Sequence, residues 1–417
     1  MNDFTKERAL IMHIDLNSAF ATTEQQAHPS LRSRPMGVTN RISKECCVIA
    51  ASYEAKAIGI KVGMRLSEAK AICPDFIILE TDAPKYHTVY EKLIAIMRDY
   101  SPKIKMKSID EGVLDFHGMD LILNSRTLTQ IGEEIRVRVK TDIGDWMKIN
   151  IGIGPNRFLA KQAAGWHKPE GNDTIDHTNY RAYYREMGLT DLSGIADRNA
   201  ARLQACGIMT PLEFLSASEY MLKKQVFRSI NGTYWYRRLR GYEIDDYETH
   251  LGMIGRQWVV KDPSHKSEYL LPCLSYLCET TGMKLRFKGV EARGICVWAT
   301  LMNGDYWHEK RMYKSCFYTN SEIYRRAMEV FNKRPSGAIV RTIGVYCYGL
   351  EPSKRSQVSI FDDIEKKEWL TKAMDEINDF YGAFTVHSAT TMGGKQVIKQ
   401  KIPFGGTDYF ELLLKRA

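Results

Sequence analysis

"KMKSIDEGVLDF", residues 105–116, sets two adjacent acids, Asp110 and Glu111, inside an otherwise strand-like run. In a regular strand neighbouring side chains point to opposite faces, so an adjacent pair would not share a task. Either the pair is a solvated turn, or the backbone bends there and turns both carboxylates to one point. Upstream, "ALIMHIDLNSAF" (9–20) reads as a buried strand that carries Asp15 near its end and breaks at Asn17-Ser18. Three acids at strand ends suit a divalent cation, because Mg²⁺ takes hard oxygen ligands and shares them with phosphates. Acids at such junctions are also ordinary turn residues, and on these stretches alone both explanations stay open.

The chain of 417 residues is too long for one ordinary core, which predicts several domains. No apolar run approaches the ~20 residues needed to span a bilayer, so no membrane partner is expected. The N-terminal segment has charges and then a short apolar run without a small-residue cleavage site, and reads as a first strand. Nine cysteines, odd in number and without CxxC spacing, suggest neither a disulfide framework nor a zinc site. A cytoplasmic protein is the expectation. The net charge is +9, and residues 253–355 hold 17 Lys/Arg against 9 Asp/Glu. Almost all the surplus therefore sits in one quarter of the chain, which points to a polyanion such as nucleic acid.

The pattern is α+β up to about residue 174. A strand at Val48–Ala51 leads to a helix, a turn bounded by Gly59 and Gly63, and a second helix ending at Cys73-Pro74. Val89, Leu93, Ile96 and Met97 recur at helical spacing, and another helix runs from about Thr127 to Val139 before the strand "KINIGIG" (148–154). Residues 175–250 are helical and short-segmented. Strands return from about 253, with a hairpin signal at Asn303-Gly304, a helix in "NSEIYRRAMEVFNK" (320–333) and a strand in "GAIVRTIGVYCYGL" (337–350). A last amphipathic helix places Leu370, Met374, Ile377 and Tyr381 on one stripe.

Five ordered stretches decide between the open readings: "IDLNSAF" (14–20), "ASYEAKAIGIKVGM" (51–64), "SIDEGVLDF" (108–116), "IGIGPNRFLAKQAA" (151–164) followed by "HKPEG" (167–171), and "LSGIADRNAARLQACGI" (192–208). Together they resemble the Y-family, lesion-bypass DNA polymerases of the DNA polymerase IV and UmuC kind, over roughly residues 10–360.

The resemblance implies an α+β multidomain right hand: palm at 1–23 and 82–174, small fingers at 24–81, helical thumb with a helix-hairpin-helix at 175–250, α/β little finger at 253–352, and a C-terminal tail at 353–417. It implies a DNA-templated polymerase of low fidelity without proofreading, bacterial and nucleoid-associated, acting on primer-template DNA and dNTPs. Asp15, Asp110 and Glu111, with the Leu16 carbonyl, match the ligands of two Mg²⁺ ions, or Mn²⁺ in their place. Phe20 matches the steric gate against a ribose 2′-OH. Tyr53, Lys56 and Lys161 match the residues that hold the triphosphate, with Lys56 standing where the family more often has Arg. Arg157 and Lys168 lie near enough in sequence to reach phosphate, without a matched role. Gly194 and Ala196 match the Gly-x-Gly turn that meets DNA backbone, with Ala in the second glycine's place. Gln357, Ile360 and Phe361 in "QVSIF" look like a peptide that docks on a sliding clamp. Two rival readings are a catalytically silent DNA- and clamp-binding adaptor, expected to have lost the acids, and a metal-dependent nuclease, which leaves Phe20, Tyr53 and Lys56 unexplained.

Overall fold

In the computed structural model, residues 4–43, 46–123, 125–247, 250–353 and 364–398 are described. They fall into two compact units, the first ending at Tyr247. Eight strands build the first: β1 (Ile11–Leu16), β2 (Met36–Thr39), β3 (Ala50–Ala51), β4 (Ile77–Glu80), β5 (Ile104–Met106), β6 (Glu111–Asp115), β7 (Ile149–Gly154) and β8 (Asn172–Thr174). Five of them form a sheet of order β5-β6-β1-β7-β8, with β1 central and antiparallel to both neighbours.

Alternation sorts β1 into two faces. Met12, Ile14 and Leu16 join Leu114, Ile149, Ile151 and Ile153 beneath the helices Ala83–Arg98 and Leu128–Arg138. The latter helix begins at a Thr127–Gln130 capping box, in which each side chain satisfies the other residue's free amide. Ile11, His13 and Asp15 point the other way. That second face is partly roofed by the helix Arg157–Trp166, with Ile11, Val113 and Ala160 in contact. Gly152, paired with His13, makes the close approach possible, since a Cβ there would overlap the backbone of Ala160 and Ala163–Ala164. Every residue of β1 is buried except Asp15.

A smaller sheet, β3-β2-β4, packs with the helices Tyr53–Ala57 and Leu66–Ile72 around Val48, Ala51, Ala55, Ile60, Leu66 and Phe76. Residues 180–239 are helical, with a core of Tyr183, Tyr184, Leu203, Phe214, Leu222, Trp235 and Leu239.

The second unit holds β9 (Met253–Ser264), β10 (Val290–Leu301), β11 (Tyr306–Phe317) and β12 (Val340–Pro352) in the order β11-β10-β12-β9. The hairpin at Asn303-Gly304 is present, with Gly304 at φ 90°. One face buries Ile295, Val297, Ile343 and Val345 under the helices Ser267–Phe287 and Asn320–Phe331. The opposite face carries Trp298, Tyr306, His308, Lys310 and Tyr346, with the Lys310 ammonium 6.0 Å from the Tyr346 ring. The helix Ser267–Phe287 has no clear stripe in the periodicity because it is buried on several sides, polar Ser275, Glu279, Thr280 and Thr281 included.

The segment 364–398 belongs to this second unit. Phe384 stacks on Tyr276 at 4.4 Å, Arg286 pairs with Asp375 at 2.6 Å, and buried Glu279 accepts from the Ser388 amide and the Thr391 hydroxyl. The stripe foreseen on the helix Ile364–Tyr381 is there but not covered, with Leu370 54% and Tyr381 71% exposed. The clamp-like residues Gln357, Ile360 and Phe361 lie outside the described residues. Among the described residues no helix is long and apolar enough to cross a membrane, and none of the nine cysteines is bridged.

Candidate active site

The bend at residues 107–110 joins β5 to β6, with the Lys107 amide donating to the Glu111 carbonyl at 2.9 Å. On the other side the Leu16 amide donates to the Asp110 carbonyl at 2.8 Å, so this backbone stays bonded to β1 while the chain turns away from β5. Asp15 and Glu111 are direct cross-strand partners and therefore share a face. His13, two residues before Asp15, shares it too and places Nε2 3.2 Å from Glu111 Oε2. One ligand atom from each of His13, Asp15 and Glu111 falls within 4.8 Å of the others. Asp110 is outside that group, held by a hydrogen bond from the Ser108 hydroxyl, but it feels the charges of both Asp15 and Glu111. His13 was absent from the sequence-derived set. Its signal was the i, i+2 spacing to Asp15 on a strand, which does not by itself distinguish a ligand from a core histidine.

Two acids placed directly opposite repel, and two lysines relieve them. Lys161, on the helix Arg157–Trp166, donates to both oxygens of Glu111 at 3.0 and 2.7 Å, and Lys168 donates to Asp15 Oδ1 at 2.7 Å. Burial pushes Glu111 up, but hydrogen bonds from His13 and Lys161 and their electrostatic attraction outweigh it and hold its carboxyl at about 2. Asp110 moves the other way: burial raises it, the Ser108 hydrogen bond opposes the rise, and the neighbouring acids reinforce it. The two adjacent acids thus have opposite electrostatic characters. A cleft of about 390 Å³ lined by Asp15, Lys161, Gln162, Lys168 and Tyr183 opens here. A larger hollow of about 550 Å³, lined by Lys6, Arg8, Asp120, Arg126 and His177, contains none of these residues.

Tyr53 and Lys56 come from the helix Tyr53–Ala57, which starts at an Ser52 cap. Lys56 Nζ lies 4.9 Å from the Tyr53 ring and donates to Ser18 Oγ at 2.7 Å. Burial first, then the charge of Asp15, pushes the Tyr53 phenol up to about 12. Burial first, then the charge of Lys168, lowers Lys56, with Asp15 opposing. Both side chains therefore sit in the electrostatic field of the acidic cluster. Phe20 is the second residue of the adjoining helix Ala19–Ala27, which follows Ser18, left-handed at φ 51°, and its ring stacks on Tyr86 at 4.5 Å.

Arg157 and Lys168 differ in placement. Lys168 is in the cluster. The Arg157 guanidinium is buried and engaged by Glu243 at 2.8 Å and Asp246 at 2.7 Å, so its charge is already matched. Gly194 has φ 97°, and Ala196 caps the helix Asp197–Gln204 at φ −98°, ψ 177°. Alanine is unstrained there, so the turn does not require a second glycine.

Residues 14–165 match the impB/mucB/samB family, and residues 254–360 match that family's C-terminal domain. DNA polymerase IV of Pelotomaculum thermopropionicum is 28% identical over 402 residues, covering 94% of this chain and 98% of its own. DNA polymerase IV of Moorella thermoacetica is 29% identical over 397 residues, covering 93% and 97%. Among solved structures, a Y-family DNA polymerase chimera of Dbh and Dpo4 shares the fold with a TM-score of 0.69 at 22% identity, over 82% of this chain and 99% of that one. The chain belongs to the impB/mucB/samB family, the Y-family polymerases of the DNA polymerase IV and UmuC type.

Proposed function

We infer that the protein is a DNA-directed DNA polymerase of the lesion-bypass type, extending a primer 3′-hydroxyl with deoxynucleotides. The observation that carries this reading is the pairing of Asp15 with Glu111 across β1 and β6, each neutralised by a lysine, in a chain of this family. The donor set fits divalent cations: carboxylate oxygens and one imidazole, with two lysine ammonium groups standing as cations on the acids. Asp15, Asp110 and Glu111, with the Leu16 carbonyl, would hold two Mg²⁺ or Mn²⁺ ions. Such ions supply a more acidic 3′-hydroxyl and neutralise the triphosphate and pyrophosphate.

The remaining work belongs to the chain's own side chains. Lys161 and Lys56 bind the triphosphate as point charges, and the Tyr53 phenol, protonated at working pH, donates to it. Lys168 keeps Asp15 paired until substrate arrives. Phe20 occupies the space a ribose 2′-hydroxyl needs and so selects deoxyribose. The five-stranded sheet serves as palm, the three-stranded sheet with its helices as fingers, residues 175–250 as thumb, and the second unit's sheet as little finger. The amides around Gly194 and Ala196 and the aromatic, basic face of β10–β12 bind DNA backbone. That contact weakens with salt at a slope near −0.9 per phosphate. Gln357, Ile360 and Phe361 dock on the sliding clamp, and the protein acts at the bacterial nucleoid. The relatives named DNA polymerase IV support the polymerase reading on which these assignments rest.

The silent-adaptor reading is disfavoured by the retained acids. Primer extension with Mg²⁺ and dNTPs tests the choice: the wild type extends and Asp110→Ala/Glu111→Ala does not. Equal extension by the variant, or none by the wild type, sinks the enzyme reading. Deletion of residues 357–361 should remove clamp stimulation and leave basal extension; retained stimulation removes the clamp assignment.

A further inference from the structure

Phe20 and Glu24 lie four residues apart in the helix Ala19–Ala27, which sets them on one side of it. Glu24 is 2% exposed, a costly place for a carboxylate unless it is fully engaged. Its Oε1 accepts from the Tyr86 hydroxyl at 2.8 Å and its Oε2 from the Lys85 ammonium at 2.6 Å, with His28 Nε2 3.8 Å from Oε2. Tyr86 is itself 3% exposed and belongs to the helix Ala83–Arg98. Its ring stacks on that of Phe20, with centroids 4.5 Å apart and planes 30° apart. Burial, then the Glu24 charge, pushes the Tyr86 phenol far above its ordinary range, so it remains a donor. The contacts close a circuit from Phe20 to Tyr86, to Glu24, and back along the helix to Phe20.

We propose that Glu24 is a positioning residue for sugar selection: by gripping Tyr86 through its hydroxyl, it fixes the ring that backs Phe20. The proposal rests on Phe20 being the sugar gate. An aromatic gate discriminates only if its ring cannot recede, and shifts on the order of 1 Å change such sites by up to ~100-fold. Phe20 has no polar atom with which to anchor itself, so its rigidity comes from what is packed behind it. Tyr86 supplies the surface, and Glu24 removes its freedom to slide. Lys85 completes the carboxylate's partners and ties the two helices together.

The test is the ratio of ribonucleotide to deoxyribonucleotide efficiency in single-nucleotide incorporation, with KM and kcat separated. It compares wild type, Phe20→Ala, Glu24→Gln, Tyr86→Phe and the double variant Phe20→Ala/Glu24→Gln. Glu24→Gln strands no charge, because Lys85 keeps Asp82 at 3.5 Å. Tyr86→Phe keeps the ring and removes only the hydroxyl. Tyr86→Phe should raise the ratio roughly tenfold, through a lower ribonucleotide KM, with the deoxyribonucleotide kcat nearly unchanged. Glu24→Gln, whose amide oxygen can still accept from the Tyr86 hydroxyl but no longer holds Lys85 by charge, should raise it by a smaller factor. In the Phe20→Ala background Glu24→Gln should add nothing. An unchanged ratio in both single variants beside a relaxed Phe20→Ala overturns the role of Glu24 and leaves the gate intact. An additive effect in the double variant also overturns it, since Glu24 would then act elsewhere. An unchanged ratio in Phe20→Ala removes the gate reading itself.

Discussion

The Lys161 ammonium grips both oxygens of Glu111, at 3.0 and 2.7 Å, from a helix that lies directly on the five-stranded sheet. A lysine in that position is both a substitute for a bound cation and a competitor for it. Lys161→Ala should bind Mn²⁺ more tightly in the absence of nucleotide, as read by electron paramagnetic resonance titration. The same variant should raise the dNTP KM by about tenfold or more, the worth of one charge-assisted hydrogen bond. Weaker Mn²⁺ binding by the variant would mean the lysine shapes the site without competing for it.

Asp110 and Glu111 are adjacent but should respond oppositely to neutralisation. Glu111 sits at about 2, below its ordinary 4.5, so its ionised form favours the fold; that contribution is present above 4.5 and fades as pH falls through 2. Asp110 is raised, so ionising it opposes the fold once pH passes its elevated value. In metal-free protein near neutral pH, Glu111→Gln should lower the melting temperature, by a stability loss on the order of 1–3 kcal/mol. Asp110→Asn should raise it. Thermal unfolding in chelator is the measurement, and shifts of the same sign would contradict the assignment.

Lys56 is pushed down by burial and by Lys168, against the attraction of Asp15, and its hydrogen bond goes to the neutral Ser18 hydroxyl, so an arriving triphosphate would add a direct anionic partner. Replacing it by arginine adds a planar fork at the same charge, and Lys56→Arg should lower the dNTP KM by roughly three- to tenfold. Steady-state incorporation decides this. An unchanged or higher KM would show that the pocket is shaped for the slimmer ammonium.

Arg157 should matter to stability and not to nucleotide binding. Its buried guanidinium is paired with Glu243 and Asp246, which keep solvent access, so removing it costs on the order of 1–3 kcal/mol in lost charge-assisted hydrogen bonds. Arg157→Ala should therefore unfold at lower denaturant while keeping the wild-type dNTP KM at a temperature where it is folded. A rise in KM without loss of stability would return Arg157 to the phosphate-binding set.

Gly152 sets how closely the helix Arg157–Trp166 approaches the sheet. Gly152→Ala overpacks a full interior, at about 1–3 kcal/mol, and lifts the helix that carries Lys161. Activity should fall further than stability explains, because a displacement near 1 Å is worth up to ~100-fold in rate. Full activity in a destabilised variant would separate the helix position from catalysis.

The strands were legible because short apolar runs bounded by turn residues, buried along nearly their whole length, are written into the residues themselves. In "LIMHIDL" and "INIGIG" the apolar positions alone define them. The helix Ser267–Phe287 was not legible, since burial on several sides erases the stripe that periodicity detects. The helix Ile364–Tyr381 shows the converse: its stripe is plain in the sequence, yet spacing does not say what covers it. Glu24 reads as a solvated acid in a short polar helix until Tyr86 and Lys85 are brought to it from 61–62 residues away.

The sequence by itself determined the family and most of the order of the elements, and it singled out the three acids as candidates, because these are properties of residue type and spacing along the chain. Only the tertiary structure decided which groups share the site. His13 joins Glu111 across 98 residues, Lys168 pairs with Asp15 across 153, and Arg157 is diverted to Glu243. Electrostatic and hydrogen-bond energies depend on separations of a few ångströms in space, and strand register and helix packing set those separations. The bend at Asp110-Glu111 illustrates both: its acids are written in the chain, and their opposite protonation behaviour comes from neighbours the fold supplies.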